Sequence, residues 1–268
     1  MSLIDQQFAK LRQQGKKAFM PFITAGDPDL AFTARMIREF AAHGCSFCEV
    51  GVPYSDPIAD GPVIQASYTR ALAKKIKLAD ILQLGQETTP QIEMPLVLMV
   101  SYAIVYRHGI EKFVERAQQA GFAGAIVPDL PVEESPRLSR CCRQAGFSLI
   151  QLVTPTTSRD RAIEIANASS GFLYYVSVTG ITGERSELPT GLRENITWLK
   201  ARTDLPICVG FGISKPEHVQ LLSPVADGLI VGSALVRIIA QAETRDPDEV
   251  AGEAISLIES LMSATVNA

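Results

Sequence analysis

Two hydrophobic periods alternate along the whole chain. Apolar, β-rich runs recur at residues 19–24, 47–52, 96–101, 124–127, 148–153, 172–177, 207–210 and 229–231, eight in number. Between them lie amphipathic stretches such as residues 30–43, where Leu30, Ala34, Ile37 and Ala41 share one helical face and Gly44 is free to take the left-handed conformation that ends a helix. Strands that are apolar on both faces and separated by helices predict a parallel sheet covered on each side. Eight repeats of the unit favour closure into a barrel. The expected fold is therefore α/β, a single (β/α)8 TIM barrel over residues 1–268, with no linker or low-complexity tract to divide it. An extra N-terminal helix is expected over residues 2–14, with Ser2 as its cap and Leu3, Phe8 and Leu11 packing on the barrel. The alternative, an open doubly wound sheet, normally carries a Gly-rich phosphate turn after its first strand. That turn here reads Ala25-Gly26-Asp27-Pro28, and the glycines cluster instead after the sixth, seventh and eighth runs.

Composition agrees with one large core: 268 residues at 47% hydrophobic content fit a barrel of roughly 250 residues. The formal charge of -4 arises from acids and bases mixed along the chain, with no basic stripe to attract a nucleic acid. Neither a signal-peptide core nor a membrane-length apolar run is visible, so a cytoplasmic location is expected. Five cysteines, Cys45, Cys48, Cys141, Cys142 and Cys208, form an odd set that reads as reduced thiols. The Cys45-x-x-Cys48 spacing suits a metal, but no second pair follows it, and no metal site is expected.

Candidate chemistry belongs at the C-terminal ends of the strands. In the second run, alternation puts Glu49 on the face of Phe47 and Gly51, opposite Cys48 and Val50, so a carboxyl group points into the barrel. Desolvation there would raise its pKa into a range useful for proton transfer; a purely structural carboxylate is the alternative. The following loop, residues 53–62, holds Asp56 and Asp60 among three prolines and Gly61, a stiff segment in which one carboxylate faces the mouth and the other the outside, unless both simply cap turns. Glycines at 180, 183, 210, 212 and 232, with Ser233 opening a short helix, suggest a cradle for a phosphate built from backbone N–H groups, or else tight βα turns. No lysine sits in or directly after a predicted strand, and no cluster of histidines and carboxylates is evident. Schiff-base and metal-dependent aldolases are both disfavoured.

The stretches PFITAGDP at residues 21–28 and EVGVPYSDPIADGPVIQ at 49–65 resemble signature segments of tryptophan synthase α subunits. The similarity continues at 128–134, 174–183, 209–213 and 231–234 and spans essentially the whole chain. It implies a lyase that splits indole-3-glycerol phosphate, with Glu49 and Asp60 as its acids. Phe22, Ile64, Met99, Tyr174 and Phe211 match positions bordering the indole ring. Gly183, Gly212, Gly232 and Ser233 match the phosphate cradle, and Thr182 lies in a closing loop over residues 180–189. The resemblance further implies no cofactor in this chain and a β-subunit partner carrying pyridoxal phosphate in an α2β2 heterotetramer. Pro53, Asp56, Asp129 and Pro131 would face that partner. Ser101 and Ala103 stand where many relatives carry tyrosine and asparagine, a departure on the same side. A stand-alone lyase, a sugar-phosphate isomerase on the same barrel and a non-catalytic activator are the rival readings.

Overall fold

The computed structural model describes residues 1–57, 60–176, 191–210 and 212–266. Among these, parallel strands β1 (Ala18–Thr24), β2 (Cys48–Gly51), β3 (Leu96–Met99), β4 (Phe122–Ile126), β5 (Ser148–Ile150), β6 (Leu152–Val153), β7 (Leu173–Val176), β8 (Ile207–Gly210) and β9 (Gly228–Val231) form one sheet in the order β5-β4-β3-β2-β1-β9-β8-β7-β6. β5 and β6 are two halves of one stave interrupted at Gln151. The leading half pairs with β4 and the trailing half with β7, so the two ends of the sheet are the same piece of chain and the barrel closes. The eight expected staves are thus present, and the only one that divides does so where it changes partner. The fourth begins at Phe122, ahead of the expected Gly124.

Alternation along each strand builds two separate apolar layers. Met20, Phe22, Phe47, Val97, Met99, Ile150, Phe172, Tyr174, Cys208 and Ile230 point inward, whereas Phe19, Ile23, Cys48, Val50, Leu98, Leu149, Tyr175 and Val209 pack under the helices. The helix Leu30–Ala42 shows how the outer ring forms. Asp29 caps it by accepting the Phe32 amide at 2.7 Å, Met36, Ile37 and Phe40 bury its inner stripe, and Gly44 at φ +81° ends it.

The N-terminal helix Leu3–Gln13 closes the bottom of the barrel. Ser2 caps it through a reciprocal pair with Asp5, and Ser148 Oγ donates to Ser2 Oγ at 2.9 Å, tying the helix to β5. Its buried stripe is Ile4, Phe8 and Leu11, while Leu3 is 54% exposed; the packing expected of Leu3 falls to Ile4, which shares a face with Phe8 one turn on. Phe8 meets Phe47 and Phe172 at ring-centre distances of 5.0 and 6.0 Å, a seal worth about 1.5–3 kcal/mol per buried ring. Water is therefore kept from the interior at this end.

At the opposite end, the helix Pro62–Ala73 is fastened to the tip of β1. Thr24 and Ser67 share a buried 2.6 Å hydrogen bond, and Arg70 makes a two-pronged ion pair with the buried Asp27 at 2.8 and 2.7 Å. Asp60 stands two residues before this helix, so its position inherits that anchoring. No helix among the described residues is long and apolar enough to cross a membrane.

Candidate active site

Glu49 lies in the middle of β2, flanked by Phe22 of β1 and Val97 of β3 at the same level of the sheet. It is completely buried, and among the described residues neither carboxyl oxygen has a hydrogen-bond partner. Burial alone holds its pKa well above the usual carboxylate range. An uncompensated buried carboxyl group costs several kcal/mol when charged, so burial favours the protonated form, the one that can act as an acid. That an unpartnered acid is tolerated on an interior stave is the first sign of a function beyond packing.

Asp60 reaches the same cavity from the loop after β2. Its carboxyl pKa is pushed up to about 6, chiefly by burial; Asp129 adds a smaller upward push and the hydroxyl of Tyr54, donating to Oδ2 at 3.5 Å, pulls it down. The backbone is fixed on both sides, since Asp60 N donates to the Pro57 carbonyl at 3.1 Å and Gln65 Nε2 to the Asp60 carbonyl at 2.7 Å. Asp56 is exposed and accepts from its neighbour Ser55 at 2.6 Å, so the two aspartates do face opposite ways.

The cavity between them is walled by Phe22, Ile64, Met99, Tyr174 and Ile230 and closed at its far end by Gly212, Ile213, Ser214, Gly232, Ser233, Ala234 and Arg237. The first set is apolar, and the second comes from the segments that follow β8 and β9. Two glycines make room for the rings. A Cβ at Gly51 would stand 2.6 Å from the Phe22 ring tip, and one at Gly210 would collide with the Tyr174 ring and hydroxyl. Gly212, at φ +80°, holds a backbone shape that L side chains rarely adopt.

Nine expected residues therefore meet in one cavity: Glu49, Asp60, Phe22, Ile64, Met99, Tyr174, Gly212, Gly232 and Ser233. Thr182, Gly183 and Phe211, with the loop 180–189, lie outside the described residues. Ile213, Ser214, Ile230, Ala234 and Arg237 were not anticipated. Ile230 follows from alternation with Gly232 on the stave, and Arg237 stands one turn beyond Ser233 on the helix Ser233–Ile239, so spacing alone would have found both. Arg237 lines the cavity from that helix.

On the rim, Pro53 is buried, whereas Asp56, Asp129 and Pro131 are exposed. Asp129 is engaged internally as well. It accepts from Ser101 Oγ and the Tyr102 amide, both at 2.7 Å, and so caps the helix Tyr102–His108. All five cysteines are free thiols; burial raises Cys45 to about 12 and Cys48 well above its ordinary value.

A family model described as tryptophan synthase alpha chain matches residues 8–265. The tryptophan synthase alpha chain of Rhodopirellula baltica is 57% identical over 262 residues, covering 94% of either chain. Among solved structures, tryptophan synthase subunit alpha from Legionella pneumophila superposes with a TM-score of 0.90 at 35% identity, over 100% of both chains. The tryptophan synthase complex from Pyrococcus furiosus does so with a TM-score of 0.84 at 34% identity, over 92% of this chain and 98% of that one.

Proposed function

This chain belongs to the tryptophan synthase alpha chain family, and from that premise we propose that it splits indole-3-glycerol phosphate into indole and glyceraldehyde 3-phosphate with two carboxyl groups, without a metal or a Schiff base. The observation that carries this reading is the buried Glu49 carboxyl, without a hydrogen-bond partner among the described residues, at the edge of an apolar slot whose rim holds Asp60. Phe22, Ile64, Met99, Tyr174 and Ile230 offer the flat apolar surface an indole ring needs. Gly212, Gly232 and Ser233, with Arg237 beside them, offer hydrogen-bond donors and positive charge to a phosphate. By family resemblance, Gly183 and Phe211 complete the two ends and Thr182 approaches Asp60 when the 180–189 loop closes.

The proton inventory balances on Glu49. Its protonated carboxyl gives a proton to C3 of the indole ring, which turns the ring into a cationic indolenine while the Asp60 carboxylate accepts a hydrogen bond from the ring N–H and offsets the charge. Glu49, now a carboxylate, removes the proton from the adjacent glycerol hydroxyl. The C–C bond breaks, its electron pair restores the indole, the hydroxyl carbon becomes the aldehyde, and Glu49 is protonated again. Exclusion of water by the Phe8 plug below and the pocket walls above keeps both charge interactions strong.

We assign the whole chain to one catalytic domain of a cytoplasmic enzyme. Its partner is a tryptophan synthase β subunit that holds pyridoxal phosphate and receives the indole, in an α2β2 assembly. The likeness to a tryptophan synthase complex supports the partnership. The rim carrying Pro53, Asp56, Asp129 and Pro131 is the face assigned to it.

The role of Asp60 fixes a pH dependence. Asp60 acts as a carboxylate, and with its pKa near 6 the active form is lost as pH falls through that value. The kcat/KM for indole release is expected to be level above pH 7 and to fall roughly tenfold per pH unit well below 6. An acid limb near pH 4, the range of a solvated aspartate, would remove Asp60 from the role.

A further inference from the structure

Asp60 is partly buried, on a loop, and carries a charge the reaction needs aimed at one atom; something must orient it. Among the described residues, the side-chain donor to that carboxylate is Tyr54, whose hydroxyl contacts Oδ2. At 3.5 Å this bond is long for O–H···O, as hydrogen bonds at reacting groups commonly are before substrate tightens them. The Tyr54 ring is held independently of its hydroxyl. It packs on Tyr68 at a ring-centre distance of 5.5 Å, and Tyr68 is itself buried on the anchored helix Pro62–Ala73. The donor therefore stands on a rigid support even though it belongs to a loop.

We propose that Tyr54 is a positioning residue for the cleavage: by engaging Oδ2 of Asp60 it leaves Oδ1 turned toward the ring nitrogen of the substrate. A carboxylate has two acceptor oxygens, and occupying one from the rim presents the other to the cavity. This rests on the catalytic role given to Asp60 and adds the residue that enforces it. The charged and titratable groups around Asp60 are Glu49 from β2, Tyr68 from the following helix, Asp129 from the loop after β4, Tyr174 from β7 and Arg237 across the cavity. Of these, Asp129 repels the carboxylate, and Tyr54 opposes both that repulsion and the cost of burial.

The test is Tyr54→Phe in the full-length chain, which keeps the ring on Tyr68 and removes only the hydroxyl. Indole release is measured from pH 5 to 8, beside Asp60→Asn. The acid limb of kcat/KM is expected to move up by about half to one pH unit, so the variant loses roughly three- to eightfold at pH 5.5 and less than about threefold at pH 8. An unmoved limb, or an equal loss at every pH, overturns the role of Tyr54. If Asp60→Asn itself keeps full cleavage and the same limb, the error lies in the assignment of Asp60 and not in its neighbour.

Discussion

Glu49→Gln is expected to lower the rate of indole release by at least about 10²-fold, and by as much as 10⁴-fold, while leaving KM within about threefold. Gln has nearly the shape of Glu, so the interior stave and the apolar slot keep their form. It has no acidic proton to give to the ring carbon and no carboxylate to recover one from the hydroxyl, so both halves of the step fail together. Folding should be barely affected, because Glu49 makes no hydrogen bond to any described residue that the amide would lose. Steady-state assays with circular dichroism of the same preparation separate the two effects. A folded Glu49→Gln chain with more than a tenth of the parent rate would end the acid–base role of this residue.

The second large effect concerns stability. Asp27 is almost wholly buried, with 1% of its side chain exposed, and its carboxylate is matched by the two-pronged contact from Arg70, 23% exposed. Arg70→Leu strands that carboxylate without its counter-charge, at an expected cost of about 3–5 kcal/mol. Removing both charges in Asp27→Asn with Arg70→Leu is expected to recover a large part of the loss, since the penalty is the uncompensated buried charge and not the absent bond. Urea unfolding of the two variants and the parent at pH 7 measures this. A loss below about 1 kcal/mol for Arg70→Leu would mean that Asp27 finds another partner, and that the helix behind Asp60 is not held by this pair.

Much of this is legible in the sequence, and particular residues explain both reach and limit. Glu49 stood out because strict alternation in β2 put one acid on a face otherwise given to Phe47 and Gly51, and burial of that whole stave follows from its neighbours on both sides. The barrel was legible because eight apolar runs alternate with amphipathic stretches and the glycines cluster after the last three runs and not after the first. Hydrophobic count alone misplaced the N-terminal stripe: Leu3 and Ile4 are equally apolar, and only the turn-by-turn match of Ile4 with Phe8 and Leu11 decides which one is inside. The break in the fifth stave at Gln151 was invisible because it reflects a change of neighbouring strand, a long-range property. Tyr54 was hidden for a related reason. No periodicity governs a proline-rich loop, and its contact with Asp60 arises only when the loop folds back over Tyr68. Asp129 is expected from the sequence only on the partner-facing side, whereas in the structure it also accepts from the first amide of the helix Tyr102–His108 and repels the Asp60 carboxylate.

The most direct measurement is release of indole and of glyceraldehyde 3-phosphate from indole-3-glycerol phosphate by the purified chain, alone and with a tryptophan synthase β subunit. The expected result is equal amounts of both products, formed slowly by the chain alone and faster with the β subunit present. Formation of neither product under either condition would contradict a catalytic site built on Glu49 and Asp60.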